Sequence, residues 1–387
     1  MKSAISTRNS LSIGIVAGLL AACGGPQQSI GAPPNPWAAR LTAARTHPNV
    51  TYRTLHTFDG PPGDGANPRA SLIDVNGTLY GTTNNGGSYN NGTVFAITPS
   101  GTETVLHNFR GAPDGAGPYA RLTAINDVLY GTTVSGGAHL RGTVFTISTS
   151  GAETVLHSFE GYPGDGDSPV SDLINVHGTL YGSSFYGGFS LCYQKGCGTV
   201  FSITTSGKET VLHSFSGSDG ENPAAGLTNV NGTLYGTTES GGTQNAGAVF
   251  SITRSGREAV LHSFQIGSGD GNGPYGVDLI YLKGALYGTT AGGGATDDGT
   301  FFSITPPGRE TLLHSFGAPG DGKIPEGDIA KINDIFYGTT EYGGENGSGM
   351  VFSMTTGGSE SQLYGFKRLW IPDWRHQESR WYALRHD

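Results

Sequence analysis

The hydrophobic pattern of this chain predicts short alternating strands rather than helices. In "ETVLHSF" (Glu209–Phe215), Val211, His213 and Phe215 fall on one face and Thr210, Leu212 and Ser214 on the other, the period of two expected of a β-strand. "AGLTNV" (Ala225–Val230), "TLYGTT" (Thr233–Thr238) and "AVFSIT" (Ala248–Thr253) continue in the same manner. Turn signals separate them. Asp219-Gly220 and Pro223 punctuate the first connection, Gly241-Gly242 the third, and Ser255-Gly256 leads to the next unit. Asn231-Gly232 is a strong hairpin signal, because both residues tolerate the positive φ of a type I′ turn.

This block recurs. Its "LYG" tripeptide begins at Leu79, Leu129, Leu180, Leu234 and Leu286, and reads "FYG" at Phe336. Four antiparallel strands in a unit of roughly 50 residues fit a propeller blade, kelch-like in length and in its Gly-Gly pair. An open β-solenoid is the alternative, although its repeats are shorter. The expected fold is therefore all-β: a β-propeller of six four-stranded repeats plus a partial seventh. That seventh is read from "SESQLYGF" (Ser359–Phe366), which matches the opening strand with Tyr364 in place of His. Function on such a scaffold is sought where the units differ, since sameness writes architecture.

Composition agrees with turn-rich β-structure. The 387 residues include 65 Gly, and only 14% are charged, yet 35% are hydrophobic with 17 Tyr and 17 Phe, enough for a core. The net charge of -9 argues against a nucleic-acid partner, which needs a Lys/Arg surplus on one face.

Residues 1–23 read as a lipoprotein signal. Lys2 and Arg8 precede the apolar run Leu11–Leu20, too short to span a bilayer, and "LAAC" (Leu20–Cys23) resembles a lipobox with Cys23 as the lipidated residue. An ordinary secretory signal is the rival reading. The resemblance implies an exported chain held at an outer membrane or cell surface, with the Pro/Ala-rich residues 24–50 as tether. Cys192 and Cys197, in a loop insertion of the third unit, read as a disulfide closing a small loop, or alternatively as half of a metal site. The repeat domain spans 51–366. The tail 367–387 lacks glycine and holds three of the four tryptophans, so it reads either as a basic-aromatic docking segment or as a frameshifted or truncated end.

The motif "LHSF…DG…P…L…NGTLYGTT…GG…GTVFSIT", running from about Tyr52 to Phe366, resembles the GloVer tandem repeat of bacterial choice-of-anchor proteins. The resemblance implies an exported or surface-anchored repeat protein of propeller type. It implies no activity and supplies no catalytic residues.

The repeated polar residues read as structural. His56, His107, His157, His213, His262 and His314 occupy equivalent places, too far apart across repeats to share one metal ion. Asp64, Asp114, Asp165, Asp219, Asp270 and Asp321, each followed by Gly, read as turn caps, since calcium needs six to eight oxygens. The expectation is no metal and no cofactor. Tyr80, Tyr130, Tyr181, Tyr235, Tyr287 and Tyr337 read as packing between blades rather than a sugar-stacking ring.

The units diverge just after each loop proline. Arg69, Tyr119, Arg121, Asp172, Tyr275, Asp278, Glu326 and Asp328 are the candidate ligand-binding residues, placed at one rim. The leading expectation is a non-catalytic, surface-anchored propeller, monomeric, binding a glycan or an envelope protein, with the membrane reached through Cys23. The alternative is a glycan hydrolase or lyase using carboxylates among Asp172, Asp278, Glu326 and Asp328. A further alternative is a truncated, non-functional product.

Overall fold

The computed structural model describes residues 54–367, apart from Leu191, Tyr193, Ser268, Pro307 and Asp328. Cys23, residues 24–50 and the tail from Arg368 lie outside the described residues, as does the candidate Asp328. Among the described residues all regular structure is β-strand.

The first repeat shows the plan. Ile73–Val75, Thr78–Thr83, Thr93–Ile97 and Glu103–Asn108 form a four-stranded antiparallel sheet in chain order. The same order recurs through the sheet that ends with Glu360–Gly365. Six such sheets are the blades of a β-propeller, as the repeat length predicts. The chain divides into two compact units, one of Met1–Gly236 with Ser251–Ala259 and one of Thr237–Phe250 with Val260–Asp387, and the division falls within the fourth repeat. In the first unit the short leading strands Ile73–Val75, Thr123–Ile125, Ile174–Val176 and Thr228–Val230 lie side by side.

The phase of the repeat differs from its reading in the sequence. The "ETVLHSF" segment closes a sheet rather than opening one: Glu209–Ser214 pairs with Thr199–Thr204 as the outermost strand of the third blade. The segment read as the start of a seventh unit is the outermost strand of the sixth, with Val351 opposite Tyr364. Chain order alone cannot fix this phase, because a tandem array of identical units can be divided at any of its connections.

A β-bulge interrupts that outer pairing. Phe201 faces Val211 and Val200 faces His213, leaving Leu212 as the extra residue. An added residue reverses the alternation beyond it, so Val211 and His213 do not share a face as simple period-two counting predicts. The bulge recurs between Val94 and Phe95, Val144 and Phe145, Phe301 and Phe302, and Val351 and Phe352.

The core lies between successive sheets. Tyr80, Val94 and Phe109 cluster with Leu122, Leu129, Phe145 and Ile147 of the next repeat. In the second unit Tyr287, Phe301 and Phe316 pack with Phe336, Met350 and Phe352. Tyr80, Tyr130, Tyr181, Tyr235 and Tyr287 are all under one-tenth exposed, the packing role expected of them. The glycine of "LYG" has a steric reason: a Cβ on Gly81 would stand 2.5 Å from Leu72 Cδ2 and 2.7 Å from Phe95 Cζ. Asn231 and Gly232 take φ of 52° and 88°, the two positive values that a type I′ hairpin requires. Gly65 and Gly115 are not in the left-handed region; each is a glycine because a Cβ would collide with the Thr83 or Thr133 side chain. Two-residue ladders such as Gly65–Ala66 with Asn85–Gly86 tie five of the Asp-Gly loops to a Gly-Gly loop.

Candidate functional site

The repeats meet at polar seams, and each seam is assembled the same way. A glycine turn of one repeat abuts the carbonyl of the bulged leucine of the preceding repeat: a Cβ on Gly151 would lie 2.8 Å from Leu106 O. Two residues on, Glu153 begins its strand beside His107 and Asp114 of that preceding repeat. His107 Nε2 donates to Asp114 Oδ2 at 3.1 Å. Asp114 also accepts the Arg110 N–H at 3.0 Å and the Gly115 N–H at 2.7 Å, the turn-capping role expected of it. The His107 ring stands edge-on to the buried Phe109 ring at 4.8 Å.

The same triad appears as His56–Asp64–Glu103, His157–Asp165–Glu209 and His213–Asp219–Glu258 in the first unit, and as His262–Asp270–Glu310 in the second. In every one a ring nitrogen and two carboxylate oxygens lie within 4.8 Å of one another. The histidines are structural in that each donates to a neighbour, but the partner is an aspartate carboxylate rather than a carbonyl.

Electrostatically each seam sets a glutamate against an aspartate and a histidine. Burial pushes Glu153 and Glu209 up to about 7, and the charge of Asp114 or Asp165 adds to the rise while the histidine opposes it. Glu258 and Glu360 are likewise raised to about 7, mainly by burial. Burial also works against ionisation of Asp114, but the His107 hydrogen bond and two backbone N–H donors outweigh it and hold the carboxyl below its ordinary range. Asp219 is lowered in the same manner by His213 and Ser216.

Four of the rim residues singled out in the sequence pair across successive repeats. Arg69 Nη1 donates to the Tyr119 hydroxyl at 3.3 Å, with the guanidinium 5.2 Å from the ring centroid. Arg121 Nε meets Asp172 Oδ2 at 2.9 Å, and the Arg121 backbone N–H donates to Asp172 Oδ1 at 2.6 Å. In the second unit Tyr275 and Glu326 are exposed and Asp278 is half-buried. Cys192 and Cys197 form a disulfide with Cα atoms 4.9 Å apart, in agreement with the sequence and against the half-metal-site reading.

The Gloeobacter/Verrucomicrobia repeat pattern matches residues 40–194 and again 182–370. The chain belongs to the Gloeobacter/Verrucomicrobia repeat family. None of the curated proteins matches its sequence. Among solved structures, virginiamycin B lyase from Staphylococcus aureus superposes with a TM-score of 0.52 at 17% identity, covering 77% of this chain and 84% of that one. The computationally designed Ika8 protein reaches 0.42 at 13% identity over 80% and 90% of the two chains. The tricorn protease reaches 0.42 at 10% identity over 78% of this chain and 26% of its own. At such identities the likeness to the lyase is one of fold.

For this Gloeobacter/Verrucomicrobia repeat protein, the residues that sequence reasoning passed over are the glutamates. Glu103, Glu153, Glu209, Glu258 and Glu360 open their outermost strands and Glu310 stands second in Arg309–Ser315, and that recurrence was the available signal. Their meeting with His and Asp crosses a repeat boundary, which spacing within one unit does not reveal.

Proposed function

We propose that this repeat protein is a non-catalytic binding propeller, exported and held at the cell surface through a lipid on Cys23, whose rim binds a glycan or an envelope-protein partner. The observation that carries the binding reading is the Arg69–Tyr119 pair, a cation and an aromatic face side by side next to the leading strands. An aromatic face flanked by polar groups suits a sugar ring, whose C–H face stacks while its hydroxyls take hydrogen bonds. Asp172 supports the non-catalytic side of the proposal. Its carboxylate is engaged by both the Arg121 side chain and the Arg121 backbone N–H, an architectural use of the group.

Display of the full chain on a glycan array tests this reading. Enrichment for a defined glycan class, reduced in Arg69→Ala and Tyr119→Ala, is the expected result, and no enrichment for any glycan removes the glycan form. Loss of membrane association in Cys23→Ser tests the anchor. A second reading, an enzyme acting on extracellular glycans, draws on the fold shared with virginiamycin B lyase. It requires product formation that disappears in Asp278→Asn or Glu326→Gln.

A further inference from the structure

The seams suit a cation better than they suit the groups they already hold. Each brings together one imidazole nitrogen and two carboxylates from two different repeats, within 4.8 Å of one another. The Oε1 atoms of Glu103, Glu153, Glu209 and Glu258 are out of contact with water and have no hydrogen-bond partner. An orphaned carboxylate oxygen of this kind is costly to bury, and here the feature is repeated from seam to seam. Four copies of one unsatisfied acceptor, all beside a His–Asp pair, indicate a missing partner and not a local accident.

We infer that the inter-repeat seams are binding sites for a divalent transition-metal ion of the zinc class, held by His Nε2, Asp Oδ2 and the Glu carboxylate. The donor set fits: imidazole nitrogen and carboxylate oxygen are ordinary zinc ligands, and three protein ligands leave one position for water. The His–Asp separations of 3.0–3.2 Å suit two neighbouring ligands on one ion with bonds of about 2 Å. The histidine binds as the neutral tautomer whose proton has moved to Nδ1. The aspartate is already oriented by backbone donors, such as the Arg110 and Gly115 N–H groups on Asp114, the outer-shell support that metal ligands require. Calcium takes six to eight oxygen ligands, and each seam brings only two carboxylates to the imidazole. The expectation of no metal assumed that equivalent histidines would have to share an ion. Instead, each histidine would have its own, and because the glutamate belongs to the following repeat, the ion would clamp one blade to the next.

The experiment is zinc binding to the full chain, stripped with a chelator, then equilibrated against zinc chloride and measured by elemental analysis alongside thermal unfolding. Several equivalents bind and the unfolding temperature rises. Glu153→Gln loses one equivalent, Glu209→Gln loses one, and the double variant loses two, while His139→Ala, outside the seams, loses none. His107→Gln provides a second test of the same seam should Glu153→Gln fail to fold. Unchanged stoichiometry in the folded seam variants, or zinc loss confined to His139→Ala, overturns the inference. Calcium chloride that binds with the same stoichiometry overturns the assignment to a transition metal.

Discussion

The carbonyl oxygen of Leu106 lies only 2.8 Å from where the Cβ of any residue but glycine at position 151 would stand. Leu106 is the bulged residue of one outermost strand, and Gly151 turns the chain into the next. The bulge thus serves a packing purpose: it pushes out a carbonyl against which the following repeat seats, and that contact delivers Glu153 to His107.

Gly151→Ala therefore loses stability twice, through a φ of 94° that L-residues avoid and through the clash. Gly178→Ala, with φ of 85° and open space around it, loses only the first. The expected loss at Gly178 is about 1–2 kcal/mol and at Gly151 distinctly more. Urea unfolding of both variants checks the order, and equal losses would show that the seam yields freely.

Metal-free stability should fall as pH rises across neutrality. Glu153, Glu209, Glu258 and Glu360 hold their protons to about 7 in the folded chain, against an ordinary value of 4.5. The folded state binds the extra proton, so the contribution is fully present below 4.5 and is lost as pH climbs through 7. Asp114 and Asp219 act in the opposite sense: lowered from 3.8, they support the fold above that value and lose their contribution as pH falls through their depressed folded values. With chelator present, the unfolding temperature should be higher at pH 5.5 than at pH 8, and Glu153→Gln with Glu209→Gln should shrink the difference. A profile unchanged by both substitutions would contradict this account.

The blade was legible in the sequence because its signals are local. Asn231-Gly232 sets a hairpin, and "TLYGTT" and "AVFSIT" alternate as strands do, so six sheets of four could be counted. The seams and the rim pairs were not legible, because three physical facts hide them. The bulge at Leu212 adds a residue that carries no sequence signature and turns His213 away from the face of Val211. The outermost strand belongs to the sheet before it, which shifts every unit by one strand. The Arg69–Tyr119 and Arg121–Asp172 pairs join residues roughly 50 positions apart, so residues that diverge from repeat to repeat look unconstrained when they are in fact matched across the boundary.

The small disulfide offers a test of what the loop insertion contributes. Cys192 and Cys197 are five residues apart, so the loop they close is short and the entropy removed from the unfolded chain is small. Chain-entropy arguments give about 2 kcal/mol for a loop of this size. Cys192→Ser with Cys197→Ser should lower stability by about that amount in denaturant unfolding under oxidising conditions. The same amount should be lost by the parent chain on adding reductant, and an appreciably larger loss would mean that the insertion supports the third blade.

The rim pair Arg121–Asp172 separates architecture from ligand binding. Asp172 is 14% exposed and Arg121 41%, so the ion pair is only partly screened, and the Arg121 backbone N–H binds the same carboxylate whatever side chain Arg121 carries. Removing Asp172 therefore strips partners from both the side chain and the backbone of Arg121, whereas Arg121→Ala removes only one. A double-mutant cycle with Arg121→Ala and Asp172→Ala should give a coupling of about 0.5–1 kcal/mol, with Asp172→Ala the more damaging single change. If the coupling is present in the free protein, the pair is a latch between the second and third repeats, and glycan binding must draw on Arg69 and Tyr119 instead. If the coupling is absent and Arg121→Ala weakens ligand binding alone, Arg121 is released to the ligand, and the rim site extends across three repeats.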